Sequence, residues 1–336
     1  MRFSLFYNID VLPGKKASER YHEIEEQAIV ADRLGFDAIW LAEHRFGPYS
    51  PMPSPLLHLA RISSLTRSIE LGIAIEAPYY HPLRLAEDIA LLDIISRGRV
   101  RLGIGSEAIN TRLDLAHADS SLDKKTARML EMVAVLRQAF DEGHVDFLGN
   151  YYQYEGIELL SRPLQPAQHV IWIAANQATP ELAGVAGYSL LIPNLGTASA
   201  TQQFLARYRM YLAGKPGFVA QLHFISVASC EREAQEHLQR ILARYTHDYA
   251  PPFEWDGSTD SHAYAALSRR LNIIVGTPTR VAEQLAARQQ EYGLNEIVCQ
   301  VSHAGMRHEE VLRSVTLLGE EVLPQLQSSP LVPALE

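Results

Sequence analysis

Eight short runs of apolar, β-branched and aromatic residues recur along the chain: Phe3 to Asn8, Asp37 to Glu43, Ser68 to Ile75, Val100 to Ser106, His169 to Ala175, Gly187 to Ile192, Gln221 to Ser229 and Glu296 to Val301. Most lack the alternation that a strand with one wet face would show, so they read as strands buried on both faces. Between them apolar positions recur at helical spacing. The clearest stretches are Glu19 to Leu34, Leu83 to Ile95, Thr126 to Phe140, Pro180 to Ala186, Ala200 to Leu212, Glu231 to Tyr245, Pro278 to Tyr292 and Glu309 to Leu323. Strands and helices alternating eight times predict an α/β fold, a (β/α)8 TIM barrel of parallel strands. Such a barrel carries its chemistry at the C-terminal ends of its strands.

Punctuation supports these boundaries. Gly35 and Gly98 fall just past helix ends, where a left-handed cap costs least, and Thr179-Pro180 and Thr277-Pro278 read as N-cap plus first-turn pairs. Two stretches depart from the repeat. Residues 144 to 168 read as a hairpin followed by an extended arm, and residues 250 to 272 as a long polar connection between the seventh and eighth strands.

At 336 residues and 47% hydrophobic composition, the chain fits one barrel domain over residues 1–336 with those two insertions. Its formal charge of -9 is spread among interspersed acids and bases, which argues against nucleic acid or an anionic membrane as the main partner. Cys230 and Cys299, both read in apolar strand-like runs, offer no disulfide framework and suit a reducing cytoplasm. The N-terminal apolar run is broken by Asn8 and Asp10, too early for a secretory signal, and no apolar stretch approaches the length of a membrane helix.

Glu43-His44 follows directly on the second apolar run. An ionisable pair just beyond a buried strand is where a barrel places catalysis, and an imidazole titrating near neutral pH can pass protons. Glu43 either orients His44 or is a solvated strand-end carboxylate. Metal hydrolysis finds no support, since the first strand run carries no His-x-His and the chain has no His-Glu-x-x-His. The nucleophile elbow Gly-x-Ser-x-Gly is absent too. Gly103-Ile104-Gly105-Ser106 lacks the third glycine of a dinucleotide fingerprint; it reads as a strand end that a ligand could approach closely, or as a plain tight turn. Ala174 to Pro180 sets small and polar residues before a helix start, where Thr179 would cap the helix and a phosphate could meet its dipole.

Taken together, Gly35-Phe36-Asp37, Trp40 to Phe46, Leu71 to Ala74, His81 to Asp88, Asp93 to Arg101, Gly103 to Gly105, Ile171 to Ala175, Val275 to Pro278 and Glu321 to Pro324 resemble, in order and spacing, the bacterial luciferase superfamily of flavin-dependent oxidoreductases. The resemblance covers nearly the whole chain. It implies a barrel binding flavin mononucleotide (FMN) at its C-terminal strand ends, with His44 as the catalytic histidine. It matches the Ala74–Ile75 bond to the family's non-prolyl cis peptide beneath the flavin ring, and Thr179 with the fifth strand's tip to its phosphate-binding segment.

Three departures separate the chain from the luciferases themselves. Gly105 stands where they have a cysteine and Ser106 where they have the phosphate-binding arginine; Ala175 and Asn176 replace a glutamate and a serine; Arg45 replaces the second histidine of their motif. The phosphate would then fall to Ser106, Asn176, Tyr152 or Arg112. The resemblance implies a two-component monooxygenase that takes reduced FMN from a transient flavin reductase. It would oxygenate a small or medium-sized organic substrate with dioxygen through a flavin C4a-peroxide, with the 250 to 272 connection closing over the site. A deazaflavin-dependent hydride-transfer enzyme and a non-catalytic flavin-binding protein are the alternatives. A homodimer through the helices after strands two and three is also implied. The Leu85, Ile89 and Leu92 face of the Leu83 to Ile95 helix would either form that interface or dock on the barrel.

Overall fold

In the computed structural model, parallel strands follow one another around the sheet in the order β1 (Arg2–Tyr7), β2 (Ala38–Ala42), β3 (Glu70–Glu76), β4 (Val100–Gly105), β7 (Ile171–Ala174), β8 (Ser189–Ile192), β9 (Val219–Val227) and β11 (Glu296–Ser302), and β11 returns to β1. This is the strand order of a (β/α)8 barrel, and its eight members are the eight apolar runs of the sequence. The structure describes residues 1–8, 16–44, 51–106, 121–194, 197–249, 271–302 and 305–328. Arg45, Arg112 and all but the end of the 250 to 272 connection lie outside the described residues.

Several elements escaped the sequence reading, among them the helix Ala167–Val170, which takes the first two residues of the run read as the fifth strand. A ninth strand, β10 (Ile273–Gly276), pairs with the second half of β9, Ile273 opposite Phe224. A helix, Pro55–Leu65, starts at Ser54, whose hydroxyl accepts from Leu57 N. The expected hairpin after the fourth strand is present as β5 (His144–Leu148) against β6 (Gln153–Glu158), antiparallel. Cys299 lies buried in β11, but Cys230 is exposed, past the end of β9 at the start of the helix Glu231–Tyr249. The strand environment read for Cys230 is therefore corrected.

The described chain divides into two compact units: Met1–Ile39 with Ile192–Leu205 and Phe218–Glu336, and Trp40–Leu191 with Ala206–Gly217. In the first, β11 lies between β1 and β9. Phe224 of β9 packs with Ile241, Leu242, Leu271 and Ile273 in a core cluster, and the Arg20 guanidinium donates to Ser302 Oγ at 2.8 Å. The first helix, Ala17–Leu34, closes on Gly35 at φ 80°, as its sequence predicts.

In the second unit, β3 pairs with β4 and β4 with β7, in register Ala74 to Gly103 and Gly103 to Trp172. Trp40 is fully buried, its ring 5.4 Å from Trp172 at an interplanar angle of 70°. The helix Pro82–Ser96 ends through Arg97 and Gly98, both left-handed. Its buried Asp93 then accepts from the amides of Val100, Leu164 and Gln165 and from the Gln165 side chain. One carboxylate so ties the helix end to the start of β4 and to the extended arm.

Candidate active site at the strand ends

Of the residues singled out by the sequence for catalysis or cofactor binding, the ten that are described all lie in the second unit. His44 follows β2, where its amide donates to Met52 O at 2.9 Å in an isolated antiparallel bridge. The side chain is partly buried, and burial pushes its pKa down to about 4. At neutral pH it is an uncharged imidazole rather than a group titrating near neutrality, suited to accept a proton or share one in a hydrogen bond.

Glu43 is buried rather than solvated. Its carboxylate accepts from Tyr80 Oη at 3.0 Å and from Glu76 N at 3.3 Å, while its own amide donates to Ala74 O at 2.8 Å. It thereby ties the end of β2 to the end of β3 and to the turn after it. Tyr80 and Glu76 were not legible as partners, because nothing local in the sequence sets which strand tip a carboxylate will cross to.

The neighbouring tips carry small residues: Ala74 beside Ile75 on β3, Gly105 on β4, and Ala174 with Ala175 at the end of β7. A Cβ built on Gly105 meets only Ala174 Cβ at 3.6 Å and Ile75 O at 3.8 Å, both ordinary contacts. Protein packing therefore does not demand this glycine, and the room it leaves fits the close approach of a flat ligand ring.

Past these tips lies a hydrogen-bonded cluster. Ser106, nearly fully buried, has its Oγ within 2.9 Å of Asn176 Nδ2 and 3.2 Å of Thr126 Oγ1. Asn176 Oδ1 accepts from Ala178 N, Asn176 N donates to Thr179 Oγ1 at 2.9 Å, and that hydroxyl donates to Ala174 O at 2.8 Å. Thr179 stands at the N-cap position of the helix Pro180–Ala186 but makes no side-chain cap bond there. Its hydroxyl turns back onto the loop, which corrects the capping role read from the sequence. Thr277 likewise stands at an N-cap position without a side-chain cap bond. The helix after Thr179 is seven residues long and Arg207 holds it, donating to the Glu181 carboxylate and to Gln177 O.

Tyr152 takes part in a different arrangement. Its hydroxyl accepts from Arg128 Nε at 2.8 Å, and its ring stacks on Tyr154, which reaches His81. No group of His, Cys, Asp and Glu among the described residues could hold a metal ion, and none of their helices is long and apolar enough to cross a membrane.

Comparison with known proteins agrees with the barrel fold. The model of the luciferase-like monooxygenase family matches residues 1–296. The crystal structure of the monooxygenase RslO1 from Streptomyces bottropensis superposes with a TM-score of 0.86 at 26% identity, covering 97% of this chain and 99% of that one. The oxygenase component of the flavin-dependent trigonelline monooxygenase of Acinetobacter baylyi is 25% identical across 98% of this chain and 96% of its own length. An F420-dependent glucose-6-phosphate dehydrogenase of Amycolatopsis mediterranei is also 25% identical, across 94% of this chain and 98% of its own length. These relatives are oxidoreductases by name.

Proposed function

Because the chain belongs to the family of luciferase-like monooxygenases, we propose that it is the oxygenase of a two-component system, using reduced FMN and dioxygen on a small or medium-sized organic substrate. The observation that carries this reading is the neutral, partly buried His44 in one unit with strand tips of Ala74, Gly105 and Ala175. Reduced flavin bound there would supply the electrons and the oxygen-transfer chemistry. Of the chain's own residues, His44 accepts and returns a proton at a ring nitrogen. Glu43 fixes the β2 and β3 tips on which His44 and Ala74 stand.

Ser106 and Asn176 offer a hydroxyl and an amide to the cofactor's phosphate, and Thr179 shapes the loop that presents Asn176. The 25% identity with the trigonelline oxygenase component along nearly its full length supports a separate reductase as the source of reduced flavin. In this reading the whole chain acts as one domain in the cytoplasm.

The equal identity to an F420-dependent dehydrogenase keeps one rival reading, hydride transfer with a deazaflavin. An anaerobic titration with reduced FMN, reduced riboflavin and reduced deazaflavin, followed by admission of oxygen, separates the two. Tighter binding of reduced FMN than of riboflavin, and a changed rate of its reaction with oxygen on the protein, are expected. Saturable binding of the deazaflavin alone would overturn the monooxygenase reading.

The dimer belongs to the same proposal. Leu85, Ile89 and Leu92 are buried within the chain, so that face docks on the fold. The opposite side of the helix Pro82–Ser96 presents Leu91, Ile94 and Ile95 to solvent, and the adjacent helix Pro55–Leu65 presents Leu57. Exposed apolar side chains on two packed helices mark the surface a second copy would cover.

A further inference from the structure

A groove of about 890 Å³ runs between the helices Glu231–Tyr249 and His308–Leu317 and shares no residue with the His44 site. Its walls carry four arginines, Arg232, Arg240, Arg307 and Arg313, against three glutamates, Glu233, Glu236 and Glu310. This local excess of positive charge stands out in a chain of net charge -9.

The ion pairs of the groove are unevenly shared. Glu310 takes two partners, a bidentate contact from Arg240 at 3.2 and 3.3 Å and another from Arg307 at 3.3 Å. Burial works against its charge, yet the hydrogen bonds from Arg307 and Arg240 hold its pKa down to about 2. Arg313 pairs with Glu233, which also accepts from Ser229 N. Arg232 makes no ion pair or hydrogen bond with any described residue, while Arg307 and Arg313 keep more than half of their side-chain surface in solvent. The N-termini of both helices open on the same groove, at Cys230 and at Arg307, adding two positive dipole ends.

We propose that this groove binds a small polyanion, a molecule carrying two or more phosphate or carboxylate groups. Arg232, Glu236 and Arg240 lie at four-residue spacing on one helix face, and two turns separate the first from the last by about 12 Å. Cations spread over that length match a ligand with several anionic groups better than one phosphate. Guanidinium groups suit both phosphate and carboxylate, through paired N–H donors. Arg232 supplies its whole guanidinium, and Arg307 and Arg313 supply donors that Glu310 and Glu233 leave unused.

Cys230 is a built-in reporter, since its exposed thiol lines the groove while Cys299, the other cysteine of the chain, is buried. The test follows the alkylation rate of Cys230 by N-ethylmaleimide, an uncharged reagent, in the full chain. Tripolyphosphate, citrate, inorganic phosphate and sodium chloride are compared at matched ionic strength, with calorimetric titration of the same anions.

Saturable protection by tripolyphosphate or citrate, exceeding that by inorganic phosphate, is the expected result, and the stronger of the two names the anionic group preferred. The double variant Arg232→Gln/Arg307→Gln should lower that affinity by about tenfold or more without altering flavin binding. Protection no greater than that of sodium chloride, protection by inorganic phosphate equal to that by the polyanions, or an unchanged affinity in the double variant would each overturn the proposal.

Discussion

The ring of Trp40 occupies the space that any side chain on Gly72 would need: a Cβ built on Gly72 would stand 2.1 Å from Trp40 Cδ2 and 2.5 Å from Cε3. Trp40 is fully buried and edges onto Trp172, so its ring cannot give way without displacing packed neighbours. Gly72→Ala is therefore expected to destabilise the protein by about 1–3 kcal/mol, the ordinary cost of overpacking a close-packed interior. Gly105→Ala should leave stability nearly unchanged, because its Cβ meets only ordinary contacts, but it should weaken flavin affinity. Urea denaturation of both variants beside a flavin titration checks the pair. Equal destabilisation by the two would show that the glycines serve packing alone.

Asp93 predicts a second stability effect. Its two carboxylate oxygens accept from three backbone amides and one side-chain amide, and the residue is fully buried. Asp93→Ala leaves the three backbone amides without that partner, while Gln165 Nε2 keeps Val100 O, and each buried unsatisfied group costs about 1–3 kcal/mol. Loss of at least 3 kcal/mol in urea denaturation is expected. The arm around Leu164 should also become the first site cut by protease in the variant. A loss below 1 kcal/mol would mean that water replaces the carboxylate.

The barrel was legible because most of its strands are rich in apolar residues and lack the alternation of a strand with one wet face, a pattern that burial on both faces explains. Strand β10 is no shorter than β7 or β8; it was missed because eight runs already complete the barrel repeat, and a ninth strand that only extends the sheet beside β9 has no place in it. The helix Pro55–Leu65 was hidden by the prolines before it and the serines at its end, which read as turn residues although Ser54 caps it. His44 and Ser106 could be placed at strand ends from the chain alone. Their surroundings could not: Thr179 Oγ1 has the same chemistry whether it bonds forward to a helix or back to Ala174 O, and tertiary packing chose the second. The same holds for Glu43, whose partner Tyr80 lies 37 residues away, and for Tyr152, which Arg128 claims.

The dimer reading rests on Leu91 and Ile95, each more than half exposed on a helix whose inner face is already buried. Leu91→Glu/Ile95→Glu should convert a dimer into a folded monomer, since desolvating a carboxylate at an apolar interface costs more than the lost contacts alone. Sedimentation of both proteins at micromolar concentration is the measurement. A monomeric parent chain would end the reading.

His223 makes the fold sensitive to acid. Burial, with a further contribution from the Arg288 charge, lowers its pKa from 6.5 to about 3. Below pH 6.5 the unfolded chain therefore takes up a proton that the folded chain refuses, and stability falls with pH until about pH 3. His44, lowered to about 4, adds to the same trend over a narrower window. His223→Gln should flatten the loss of urea resistance between pH 6.5 and 4, whatever it does to stability at pH 7.5. An identical pH slope in the variant would show that other groups set the acid limit.

His44→Ala should leave flavin binding nearly intact while slowing oxygen transfer, because its proposed role is to move a proton rather than to anchor the cofactor. General acid or base help is worth roughly 10²- to 10⁴-fold in rate. With a pKa near 4 the imidazole is already neutral at pH 7. The parent rate should accordingly be flat from pH 6 to 8 and fall only as pH approaches 4, where the proton-accepting form is lost. The variant should lose both the rate and that acid limb. The decisive observation is single-turnover yield from pre-reduced flavin across this range, with flavin affinity measured in parallel. If yield and pH profile survive the substitution, the His44 side chain moves no proton in the reaction, and the proton-transfer assignment falls without disturbing the fold or the flavin site.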